Sequence, residues 1–349
     1  MRGIVAILSI FAAVAAADAQ EYTTIDIGQL SGAYTNYYPT GINNAGTVVG
    51  YAQGNQGASE AAFVSSDGVM AQLGAGTGIA NAINDSGTIV GDMFNQDPEL
   101  VFSYSGGVMT NLGSLGGSYG YPNAINNNGT VVGWSMIEGN QFFHAFSNSG
   151  GVMTDLGTLG GSTSVALGIN NNGTIVGEAL TASGDQNAFS YKNGIMSDLG
   201  TLGGAASTAY GINGIGTIVG AADVAVGNQH AFIFSNSVMH DLGTLGGATS
   251  SASAINASGV IVGNSTTVSG ASDAFIYENG TMYDLNKLMS LNGVTLTDAT
   301  ALNDLGQIVA DGSDGNAYLL TPIPEPSTYA AILGVAALGL AVMRRRRVA

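Results

Sequence analysis

Seven times along the chain the sequence returns to one phrase: an aliphatic residue, an Asn-rich turn closed by Gly, then a β-branched pair. It first reads Gly41-Ile42-Asn43-Asn44-Ala45-Gly46-Thr47-Val48-Val49-Gly50, and it recurs from Ile83, Ile125, Ile169, Ile212, Ile255 and, degraded, Leu302. The steps are 41, 42, 44, 43, 43 and 47 residues. A second phrase ends each time on an aromatic residue: Phe63, Phe102, Phe146, Phe189, Phe232, Phe275 and Tyr318. A third, seen whole in Val152-Met153-Thr154-Asp155-Leu156-Gly157-Thr158-Leu159-Gly160-Gly161, closes the unit. A unit of about 43 residues repeated seven times has the period of propeller blades.

Each unit holds four short stretches of strand chemistry. In the fourth unit they fall at 165–169, 174–179, 187–191 and 195–199. Asn170-Asn171-Asn172-Gly173 divides the first two and Lys192-Asn193-Gly194 the last two, both tight turns whose Asn and Gly accept positive φ at little cost. Four antiparallel strands cannot hide both faces of their own sheet, so the units must stack.

The two ends of the repeat are complementary. The last unit stops at Tyr318-Leu319-Leu320 without a fourth strand, while Tyr22 to Leu30 match the third phrase before any first phrase has occurred. The N-terminal strand is therefore expected to complete the seventh blade and close a ring. The fold expected is an all-β, seven-bladed β-propeller; a β-solenoid is the alternative, although a solenoid needs caps and has no use for complementary half-units.

Both termini lie outside the repeat. Residues 1–19 read as a secretory signal peptide, with Arg2, an apolar run and Ala17-Asp18-Ala19 as a small-residue cleavage site. Residues 20–322 are the repeat body. Residues 323–349 hold Pro324-Glu325-Pro326, an uncharged run over 328–343, and Arg344-Arg345-Arg346-Arg347. An apolar segment stopped by arginines halts in a membrane with the cations on the cytoplasmic side, because carrying guanidinium groups through hydrocarbon is costly. As a helix, residues 329–343 would reach only about 22 Å against a hydrocarbon core of about 30 Å, short for a permanent anchor.

Without its ends the body carries twenty-two acidic residues and two basic ones, Lys192 and Lys287. That balance repels phosphate and argues against nucleic acid and anionic lipid as partners. The chain is 45% hydrophobic and only 9% charged, which argues against disorder. There is no cysteine, so disulfides, thiolate metal sites and cysteine nucleophiles are excluded.

The order Pro-Glu-Pro, apolar helix, basic end resembles the PEP-CTERM sorting signal of Gram-negative bacteria that make exopolysaccharide. That resemblance implies export, a transient stay in the membrane through the C-terminal helix, and processing beside Pro324-Glu325-Pro326 by an exosortase, a membrane-embedded enzyme resembling a cysteine protease. The body resembles the extracellular HAF repeat family, named for the His-Ala-Phe intact here at His144 and His230, although most copies have lost the His. The resemblance implies location and repeat architecture, not an activity.

The repeating residues read as scaffold. The Phe of the second phrase fits an aromatic wedge between neighbouring sheets. The Asp of the third phrase (Asp26, Asp155, Asp198, Asp241 and Asp284, replaced by Gln72 and Asn111 in two units) would either form an acidic ring or fix a turn by accepting backbone amides, a task Asn also performs. His144 and His230 are expected to bond locally. With three histidines in all, none at metal-ligand spacing, no zinc site or hydrolase triad is expected. No cofactor is expected either; Asp311-Gly312-Ser313-Asp314-Gly315-Asn316 has the look of a calcium loop but lacks its distal Glu.

Recognition is expected on the loops between second and third strands (52–59, 93–99, 135–141, 180–186, 221–229 and 264–272), which vary while the turns do not. Aromatic residues gather near that face in the first three units, and Tyr121, Trp134, Phe142 and Phe143 are the candidate ligand-binding residues, since flat rings beside amides suit a sugar. Two functions are open. The first is a non-enzymatic surface or extracellular-matrix protein contacting exopolysaccharide or envelope partners. The second is a propeller-type polysaccharide hydrolase or lyase, which needs a unit-specific acidic pair, Asp97 with Glu99 being the nearest.

Overall fold

The computed structural model describes residues 20–30, 34–54, 60–74, 77–93, 100–225, 227–289 and 291–323. The signal-peptide segment, the Pro-Glu-Pro motif, the expected transmembrane helix, the arginine cluster, and Asp97 and Glu99 all lie outside them. Among the described residues no helix is long and apolar enough to cross a membrane.

The compact unit Tyr22–Pro322 is made of seven four-stranded antiparallel sheets. Blades 1 to 6 span 34–72, 78–111, 116–155, 160–198, 203–241 and 246–284. Blade 7 takes three strands from 296–322, and its fourth is Tyr22–Asp26, which pairs antiparallel with Ala317–Pro322. This closure is the one the complementary ends required, and it decides against a solenoid. The longest step between units is taken up by the 3-10 turn Leu285–Lys287 ahead of blade 7.

The turns use the expected residues. Gly173 and Gly194 sit at φ +76 and +82, and Asn193 at +52. Two expectations on strand length are corrected. The first strand of blade 4 runs Gly160–Ile169, twice the expected length, because bulges between Gly160 and Ser164 and between Ala166 and Gly168 let the Gly-rich end of the third phrase join the ladder. The loops between second and third strands are correspondingly short. In blade 4 the strands run to Thr181 and restart at Gln186, with Gly184 at φ +92 making the reversal.

The core is seven interfaces between blades. Phe189 is fully buried in one of them with Val132, Ala145 and Leu156 of blade 3 and Ala166, Ile175 and Ala179 of its own blade. The corresponding Phe63, Phe102, Phe146, Phe232 and Phe275 are equally buried, so the aromatic wedge is the scaffold role observed. The backbone of the neighbouring first strand, with the wedge beside it, explains a repeated Gly. A Cβ on Gly177 would collide with the Val165 carbonyl and stand 3.0 Å from the Phe189 ring.

At one end of the molecule the first Asn of each turn is buried and works twice. Asn170 Oδ1 accepts from the amides of Asn172 and Thr174, while Nδ2 donates to the carbonyl of Asn213 in the next blade at 3.0 Å. The same inter-blade bond links Asn43, Asn84, Asn126, Asn170, Asn213, Asn256 and Asn303 in a ring. The turns expected to be uniform connectors are thus a hydrogen-bonded collar around the central channel.

Candidate functional site

Further along the strands from the Asn ring, midway through the ladder, the side chains stop repeating. The second residue after each β-branched pair, following Gly in six blades and Ala310 in blade 7, lies on the second strand and is Tyr51, Asp92, Trp134, Glu178, Ala221, Asn264 or Asp311. Its partner across the first strand is, in the same order, Tyr38, Ile79, Tyr121, Val165, Thr208, Ser251 or Asp298. Seven equivalent pairs thus form a belt of unlike side chains on a uniform frame.

In blade 3 this pair becomes an aromatic cluster. Trp134 stacks on Tyr121 with ring centres 6.4 Å apart and planes 15° apart. Tyr119, two residues along the same strand face, meets Trp134 edge-on at 5.1 Å, and Phe143 closes on it at 5.2 Å. The cluster follows from the ladder, in which Tyr121 lies opposite Trp134 and Phe143 opposite Met136, two residues further along. Three of the four expected binding residues are therefore brought together. Phe142 is 42% exposed. Burial, and then the Asp92 carboxylate, hold the Tyr121 hydroxyl well above the usual phenol range. Blade 1 repeats the motif with Tyr38 stacked on Tyr51 at 4.9 Å.

The belt also holds carboxylates. Glu178 accepts from Thr208 of blade 5 at 2.6 Å and from Gln186 at 2.8 Å, tying blades 4 and 5. In blade 7, Asp298 and Asp311 face each other across the two strands, and each keeps one buried oxygen without a hydrogen-bond partner. Burial, reinforced by Asp298, pushes the Asp311 carboxyl up to about 7. Burial raises Asp298 too, against bonds from the Asn264 side chain and the Ala299 amide. This is a blade-specific acidic pair that sequence reasoning missed. Its signal was the position just past the first phrase, two residues after the β-branched pair, where no residue type dominates.

The remaining polar residues are structural. Asp155 Oδ1 accepts from the Gly157 amide at 2.8 Å, as Asp198 does from Gly200 and Asp241 from Gly243, and Asn111 does the same for Gly113. These carboxylates fix turns. His144 and His230 bond to Asp155 and Asp241 at 2.8 Å, and Asn187 takes the histidine's place on Asp198. Asp314 is spent on Asn316 and the Tyr318 hydroxyl. Among the described residues no three His, Cys, Asp or Glu side chains converge to hold a metal.

Residues 322–347 match the PEP-CTERM protein-sorting motif. The matched stretch contains Pro324, Glu325, Pro326 and Arg344 to Arg347, and it implies an exported protein, anchored in the membrane and then processed by an exosortase-type system. No curated protein matches the chain. Among solved structures the propeller is similar to YCF48 bound to D1 peptide, at 14% identity and a TM-score of 0.55 over 88% of this chain and 97% of that one. It is also similar to a prolyl endopeptidase, at 11% identity and a TM-score of 0.52 over 79% of this chain but only 46% of the other. At such identities the likeness is one of fold.

Proposed function

We propose that the chain is a non-enzymatic surface or extracellular-matrix protein that is sorted by its tail and contacts exopolysaccharide through the aromatic mouth. The observation that carries this reading is the Trp134 cluster: four rings gathered at one blade of an otherwise repetitive frame. Half-buried rings offer flat apolar faces to the C–H face of a sugar, and the amides and carboxylates of the belt suit its hydroxyl groups. Trp134→Ala or Tyr121→Ala should weaken binding to the polysaccharide of the producing cells by roughly tenfold, corresponding to about 1–2 kcal/mol per stacked ring. Unchanged affinity in both variants would remove the site.

A polysaccharide hydrolase or lyase is the second reading, and Asp298 with Asp311 supplies the acidic pair it needs. Polysaccharide chain length after prolonged incubation with the wild-type protein separates the two. Shortening that is lost in Asp311→Asn would replace the first reading by the second.

A further inference from the structure

We propose that the end of the propeller bearing the Asn ring rests on the lipid surface to which the tail tethers it, so that the aromatic mouth faces outward. The inference rests on residues 322–347 acting as a sorting tail. Strand direction shows which end the tail leaves from. In blade 7, Leu302, next to Asn303 of the ring, lies opposite Ile308, and Ile308 opposite Leu320. Pro322 is two residues further toward that end, and the sorting motif begins at Pro322 itself. Five residues, 323–327, separate the last strand from the uncharged run that begins at 328.

The same end collects exposed apolar side chains. Five successive blades begin their outer strand there with Val69, Val108, Val152, Ile195 and Val238, between 49% and 72% exposed. Ile215 and Leu305, in the turns of the Asn ring, are 86% and 64% exposed. Scattered surface aliphatics are ordinary, but these recur blade by blade at one end. Among the described residues, charge at this end is carried by Glu21, Asp67, Asp85, Asp304, Glu278 and Lys192, whereas the carboxylates of the third phrase, such as Asp155 and Asp241, lie toward the opposite rim. The acidic body therefore keeps much of its repulsion away from a bilayer. Each Val or Ile contributes little, but a tether of five residues, 323–327, makes the contact intramolecular, so a weak apolar surface suffices.

The absence of cysteine allows single labels to be placed. The full chain carrying Val69→Cys, Val152→Cys or Ile195→Cys, each with an environment-sensitive fluorophore, is reconstituted into phosphatidylcholine vesicles containing quencher lipids. A label at Val268→Cys, in a loop at the opposite end, serves as the comparison. The expected result is at least twofold stronger quenching at the three Asn-ring positions than at Val268. Vesicle-bound protein with equal quenching at both ends, or none at the three positions, overturns the docking and leaves the sorting reading intact. A chain that does not float with vesicles overturns both. The variant Val108→Ser, Val152→Ser, Ile195→Ser alters only exposed positions, and it should abolish quenching of the label at Val69; persistence of that signal also overturns the inference.

Discussion

The side-chain amide of Asn303 donates to the main-chain carbonyl of Asn43 at 3.0 Å, across 260 residues of sequence. It is the last of the seven equivalent bonds and spans the junction of blade 7 with blade 1. The same amide side chain accepts from the backbone of its own turn, at the Leu305 and Gln307 amides, so a single residue type shapes the turn and joins the blades.

Asn170→Ala should therefore lower stability by roughly 1–3 kcal/mol, since it leaves the amides of Asn172 and Thr174 without their acceptor and removes the inter-blade bond to the Asn213 carbonyl. Urea unfolding measures it. A change within 0.5 kcal/mol, the scale of a neutral surface substitution, would mean that the collar is ornamental.

The closing strand makes a second prediction. Removing residues 20–28 takes away Tyr22 and Ile27, both buried, and leaves Ala317–Pro322 as an unpaired edge. The truncated chain should unfold at lower denaturant concentration and with reduced cooperativity, read by circular dichroism. An unchanged transition would show that the ring does not depend on its seam.

Phe189→Ala empties a site shared by blades 3 and 4 and should cost about 3–5 kcal/mol by the same measurement. Equivalent substitutions at Phe146 and Phe232 should cost similar amounts, because the repeat gives each wedge similar surroundings. A cost confined to one blade would contradict the stacking.

The Asp298–Asp311 pair predicts a pH dependence of defined sign. A carboxyl raised to about 7 keeps its proton in the folded chain after the unfolded chain has lost it. The folded state then binds the proton more tightly, so stability falls as pH rises from about 4 to 7 and levels off above. Asp311→Asn should remove much of that fall, on the order of 2–4 kcal/mol. Melting temperatures between pH 4.5 and 8 test it. Stability rising over that interval would mean that both carboxylates are ionised and stabilised by something else.

The blade was legible in the sequence because its signals are local. Asn-Gly pairs need positive φ, and the Phe of the second phrase recurs at the blade period. The pairing of the two chain ends was legible because half-units were visibly missing. Trp134, Tyr121 and Phe143 could be grouped because three consecutive strands of one blade carry them. The Asn ring was not legible, since its bonds join residues one whole unit apart and the Asn of a turn looks the same whether or not it reaches its neighbour. Asp298 and Asp311 were hidden for a similar reason: thirteen positions separate them, and only the bulged register of the first strand sets them face to face. The first strand was read too short because the Gly-rich end of the third phrase reads as a turn while the backbone remains in the ladder.

The measurement that tests the account most directly is the intact mass and C-terminal peptide of the protein from producing cells, taken separately from membranes and from the extracellular matrix. The account predicts a matrix species that lacks Arg344 to Arg347 and ends near Pro326. A full-length tail found only in the membrane fraction would contradict it.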